Sequence, residues 1–174
     1  GANSANYLTT GNTNVGVGQL ACERTTTGSN NTGLGFAGCR GVSTGSGNIG
    51  IGADTLGNQA NLVTGNNNIS IGTASGYSSN TITGADNIGI GRTTFSNLSS
   101  GASNVGIGLA ALFATTTGSN NVAIGNNAGA AITSANGNVV IGNGAGILNT
   151  ANDNVAIGIN ALGLNITGTN QTAV

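Results

Sequence analysis

Nine times along the chain the same five-residue phrase returns: Asn, an apolar residue, a small residue, an apolar residue, Gly. The copies begin at Asn14, Asn31, Asn48, Asn68, Asn87, Asn104, Asn121, Asn138 and Asn154, with Thr32 and Val140 as the only departures in size or polarity. A tenth, Gln171-Thr172-Ala173-Val174, stops before its Gly. Successive starts are 17, 17, 20, 19, 17, 17, 17, 16 and 17 residues apart. A period this regular, held from end to end, belongs to a solenoid or another stacked array. It leaves no internal boundary, so residues 1–174 read as a single domain.

Within one repeat, the apolar residues one and three places after the Asn (Val122 and Ile124, Ile88 and Ile90) alternate with a period of two and are β-branched. That is the pattern of a short, half-buried strand. The small residue between them (Gly50, Ser70, Gly106, Ala156) predicts a low, flat opposite face that another polypeptide can approach closely. Gly closes each copy at Gly18, Gly35, Gly52, Gly72, Gly91, Gly108, Gly125, Gly142 and Gly158, as at a turn with positive φ or a corner with no room for Cβ. A second, nearly constant Gly three places before the Asn (Gly28, Gly45, Gly118) marks another corner. Apolar residues six places before the Asn (Val42, Leu62, Ile132, Leu148) suggest a second short strand in the looser half of the coil. A lone coil buries too few side chains to offset the entropy of ordering it. The coils must therefore stack, at about 4.8 Å per step, with the Asn side chains as an amide ladder along one edge.

Composition excludes several function classes. Only 4% of residues are charged and the net charge is -1, so no basic surface exists for nucleic acid or anionic lipid. No apolar run approaches a membrane-spanning length. With no His and a single Glu, acid–base or nucleophilic catalysis lacks its parts, and the chain reads as a non-enzyme. The scattered Asp54, Asp86 and Asp153 do not form a calcium cluster, and two Cys without His do not complete a zinc site. Neither metal nor cofactor is expected.

Four residues form stacked pairs on adjacent coils. Cys22 and Cys39 share a column, which places their Cα atoms within disulfide range. The Leu and Phe elsewhere in that column point instead to buried free thiols, the alternative that in-register torsions favour. Glu23 and Arg40 occupy the next column as a cross-strand ion pair. The 20- and 19-residue repeats should bulge from one corner, which makes Leu56, Asn58, Gln59, Asn61, Tyr77, Ser79 and Asn80 candidate recognition-loop residues. Phe95 and Phe113 either join them as exposed anchors or fill the thin core, the latter suiting the phase of Phe95. An unbroken Thr/Ser column four places before the Asn, Thr10 to Thr167, is the kind of flat hydroxyl array that can order water and bind ice.

Asn-Val-Ala-Ile-Gly-Asn-Asn-Ala-Gly (121–129) and Asn-Val-Ala-Ile-Gly-Ile-Asn-Ala-Leu (154–162) resemble the head repeats of trimeric autotransporter adhesins. They are still more similar to the N-T-A-V-G repeats of bacteriophage tail fibres and related surface fibres, and the resemblance covers residues 7–174. It implies an all-β parallel β-roll, left-handed in the adhesins, with three chains packed about one axis. Together with the period, the expectation is a homotrimeric β-solenoid of about ten coils, a segment of a longer fibre protein cut at both ends. It would lie outside a cell or on a virion, as a rigid spacer or in attachment to a cell-surface glycan or protein receptor. The alternative is a ligand-binding β-solenoid, for glycan or ice.

Overall fold

A computed structural model describes residues 2–174. The pentapeptides form ten short strands: β1 (Val15–Val17), β2 (Thr32–Leu34), β3 (Ile49–Ile51), β4 (Ile69–Ile71), β5 (Ile88–Ile90), β6 (Val105–Ile107), β7 (Val122–Ile124), β8 (Val139–Ile141), β9 (Val155–Ile157) and β10 (Thr172–Ala173). They pair in chain order, all parallel, in a single sheet. The ten strands delimit about nine turns of a parallel β-solenoid, one fewer than the ten coils expected. The register follows the repeat: Ile88 lies beside Val105, Val105 beside Val122, and Ile107 beside Ile124. Each step carries the same bonds, such as Val105 N–H to Asn121 O and Gly125 N–H to Ile107 O, both at 2.8 Å. The 20- and 19-residue coils keep this register, Ile49 beside Ile69 and Ile69 beside Ile88, so their extra residues leave the sheet undisturbed.

The strand's inner face is the opposite of the one anticipated. Gly33, Gly50, Ser70, Gly89, Gly106, Ala123, Val140 and Ala156 point inward and are buried, while the flanking Val and Ile are half-buried or exposed. The reason is the thinness of the coil. Across the interior from the strand run buried residues seven and eight places after the Asn, including Cys22, Cys39, Leu56, Phe95, Ala111, Leu112, Ala128 and Ala145. Size is traded across that gap. The Phe95 ring lies over Gly89 and Gly106, and the Cys22 and Cys39 sulfurs lie over Gly33 and Gly50. Where the facing column drops to Gly129 and Gly146, the strand carries Val140, whose methyls occupy the space their Cβ atoms would take. Val140, an exception in sequence, is thus the complement of two glycines.

Turns are more numerous than two per coil. The Gly closing each pentapeptide has φ between 111° and 137°, from Gly35 to Gly125, a region that disfavours side chains. Non-glycine residues are left-handed at three further places in a typical coil, as at Ala110, Leu112 and Asn120, or Leu20, Cys22 and Asn30. Asn and Asp tolerate this conformation and hold many of these places, but Leu, Cys and Phe do so only because the interior demands their side chains. The second Gly column needs no positive φ. A Cβ at Gly28, Gly45, Gly84 or Gly118 would strike the carbonyl oxygen of the coil above.

The Asn ladder runs as expected along the strand's leading edge. Asn121 Nδ2 donates to Asn104 Oδ1 at 3.0 Å and to Ala135 O at 2.8 Å, and the pattern repeats from Asn31 to Asn138 with local variation. In the 16-residue coil, Asn149 enters the ladder: its Nδ2 donates to Asn138 Oδ1 at 2.9 Å. The second strand does not form. Among the described residues the looser half contributes two isolated bridges, Val42 with Val63 and Val63 with Ile82. In the 20-residue coil Val63 enters the core, and Leu62, the residue aligned by counting back from the Asn, is left partly exposed.

Candidate interaction surfaces

The outward residues of the strands build the largest regular feature of the surface. Two columns of mostly aliphatic side chains rise along the sheet, one starting at Val15 and broken at Thr32, the other starting at Val17, each step in register with the last. Val15 and Val17 are 48% and 59% exposed, and Ile90, Ile124 and Ile157 are between 36% and 40% exposed. Exposed Phe36, Leu109 and Ile159, one residue beyond the closing Gly, extend the face at three levels. Parallel sheets normally have both faces covered. Here the inner face is covered by the same chain and the outer aliphatic face is open.

A second surface is polar. Every member of the hydroxyl column, Thr10, Thr27, Thr44, Thr64, Thr83, Ser100, Thr117, Ser134, Thr150 and Thr167, is exposed. The hydroxyls and amides of the adjoining turn are partly engaged within the chain: Ser119 Oγ accepts from Ala102 N–H at 3.1 Å and Asn136 Oδ1 accepts from Ser119 N–H at 2.8 Å.

The two long coils place their extra residues side by side. Asn58 Oδ1 accepts from the N–H groups of Ala60 and Asn61 at 2.8 and 2.9 Å, shaping its own turn, while its Nδ2 donates to Ser78 O at 3.0 Å in the next loop. Asn80 Nδ2 donates in turn to Asn97 O at 2.8 Å. Gln59, Tyr77 and Ser79 are exposed, and Asn61 is partly so. Leu56 does not belong with them: it is 2% exposed and packs in the core, because the bulge begins only after it. Phe95 is likewise in the core, whereas Phe113 stands exposed in the same column as Tyr77, two coils on.

The residues with reactive side chains are committed to structure. Arg40 Nε donates to Glu23 Oε2 at 2.8 Å, with both side chains largely covered. Cys22 and Cys39 are free and buried. Burial pushes the Cys39 thiol well above its ordinary range, and the hydrogen bond from Cys39 draws the Cys22 thiol down. Cys39 Sγ also donates to Thr32 O at 3.2 Å, so the thiol form is the one the coil holds. Among the described residues no group of three or more His, Cys, Asp or Glu side chains gathers where a metal could sit.

The direction of the aliphatic face was missed in the sequence, although a signal for it was there. Val140 is large where its column is otherwise small, and the facing column is small at Gly129 and Gly146. Such compensation occurs only between side chains that share an interior. No protein family, curated protein or solved structure matches the chain.

Proposed function

We propose that the chain is a rigid, non-catalytic segment of a surface fibre, of the tail-fibre or bacterial adhesin kind, in which copies of itself associate through the aliphatic sheet face. The observation that carries this reading is the outward row of Val, Ile and Leu side chains from β1 to β9, half-buried or exposed and broken only at Thr32. An apolar strip of this length with nothing packed over it is an association surface. A partner that covers every rung must repeat at the same strand spacing, and a second copy of this chain does so. Three copies around an axis, left-handed winding and a place outside the cell are carried by the resemblance to the adhesin and tail-fibre repeats. In that arrangement the hydroxyl column and the long loops face outward, available to a host surface.

The mass of the purified chain in solution, by light scattering, tests the proposal. Three copies are expected at micromolar concentration, and the double variant Ile107→Asp, Ile124→Asp should fall to single chains with its β-structure retained. A stable monomer of the unsubstituted chain would sink the reading. The exposed hydroxyl column favours one second reading, ice binding, and inhibition of ice recrystallisation by the monomeric variant would support it.

A further inference from the structure

The open sheet face repeats at every level, and that leaves one property of its partner unfixed. A second copy slid along the stack by one coil, about 4.8 Å, still sets Val and Ile against Val and Ile and gives up only the last rung. Apolar contact alone does not choose the height at which copies meet. Charge can, because the chain carries so little of it: three Arg and four Asp or Glu in 174 residues.

β5 has opposite charges at its two ends. Asp86 stands in the turn just before Asn87, at the strand's entrance, and Arg92 follows the closing Gly91 at its exit. Both are exposed. Asn67 Nδ2 donates to Asp86 Oδ1 at 3.2 Å, which steadies the carboxylate on its outer side of the turn. Arg92 falls in the column of Phe36, Leu109 and Ile159, on the rim of the aliphatic face. The strand holds the two charges apart, and among the described residues neither has an ion-pair partner. No other level offers the same match. At β9, Asp153 holds the entrance but the exit residue is Ile159, and at β3 the entrance residue is Gly47.

Copies related by rotation about an axis along the stack all run the same way round it. The entrance of each strand then faces the exit of the next copy's strand at the same height. We propose that, in the sheet-face association on which this inference rests, Asp86 of each copy pairs with Arg92 of the next, and that this ring of ion pairs holds the copies level. One coil of slip would set Arg92 against Asn67 or Ser103, neither of them charged. A copy turned end over end at β5 would bring Asp86 against Asp86.

Light scattering on serial dilutions of the full chain tests it. Asp86→Arg and Arg92→Asp each set like charges together at every contact. Each should raise the concentration of half-dissociation about tenfold or more, and the double exchange should return it to within about threefold of the unsubstituted chain. Circular dichroism of all three variants should match that of the unsubstituted chain. Coupling with a water-soluble carbodiimide locates the contact. The chain has no lysine, so Arg92→Lys introduces its one side-chain amine, which should join to Asp86 of another copy and give covalent oligomers on a denaturing gel. Single substitutions without effect, a double exchange as weak as either single, or coupling that is absent, stays within one chain or maps to another carboxylate would each overturn the proposal and leave the sheet-face association standing. A single-chain mass for the unsubstituted protein would sink both.

Discussion

Asn104 is fully buried and uses its whole amide. Its Nδ2 donates to Asn87 Oδ1 at 3.0 Å and to Gly118 O at 2.8 Å, and its Oδ1 accepts from the Asn121 backbone N–H and from Asn121 Nδ2, both at 3.0 Å. An amide is the shortest side chain with a donor and an acceptor on one rigid plane, which is what a ladder between parallel coils requires. Asn104→Ala would orphan the Asn121 N–H and the Gly118 carbonyl inside the protein. The expected cost is about 3 kcal/mol, since each buried unsatisfied group costs on the order of 1–3. It would show as a lower urea midpoint at unchanged slope. A loss under about 1 kcal/mol would mean that water or a shifted backbone replaces the amide. The ladder is the part of the molecule most directly legible in sequence, because the one residue type that satisfies it recurs at its one position.

At the scale of the element, each strand from β1 to β9 is three residues whose middle member must fit the coil's interior. Glycine serves two different purposes there. A Cβ at Gly106 would meet the Ala111 carbonyl oxygen and the Phe95 ring at 3.4 Å, ordinary contact, and the next coil already carries Ala123 in that place. Gly106→Ala should be neutral or stabilise the chain by up to about 1 kcal/mol, by restricting the unfolded chain. A Cβ at Gly33 would run into the Gly38 carbonyl and lie 2.9 Å from the Cys22 sulfur. Gly33→Ala should therefore cost about 1–3 kcal/mol as an overpacked site. Thermal unfolding of the two variants side by side measures the contrast, and equal shifts would refute the assigned packing. From sequence the two glycines are indistinguishable, since both sit mid-strand between β-branched or aliphatic neighbours. What separates them lies across the coil: the Gly38 carbonyl and the Cys22 sulfur crowd Gly33, while Gly106 meets its neighbours at ordinary contact distance.

For the molecule as a whole, every strand touches only the strands before and after it. An array so connected tolerates loss of a whole unit but not of part of one. Deletion of residues 105–121, one full 17-residue period, should bring Val122 into register beside Ile88 and leave a folded chain about 4.8 Å shorter. Deletion of residues 105–112 removes β6 and half a coil, and should cost the cooperative unfolding transition. Circular dichroism melts of the two deletions test this. If both remain equally well folded, the coils are not locked in register and the solenoid is wrong.

By itself the sequence determined the repeat, the parallel stacking at one register, the glycine corners and the amide ladder. Each depends on residues brought together by the period alone, at positions fixed by backbone geometry. It left undecided which face of the strand turns inward and which of two adjacent apolar residues enters the core of a longer coil. Those outcomes belong to the cross-section. In a coil this thin, the interior accepts a large side chain from one wall only when the facing wall gives way. That choice is made between residues on facing walls of the coil, so neither Val63 over Leu62 nor Gly89 under Phe95 follows until the coil has closed.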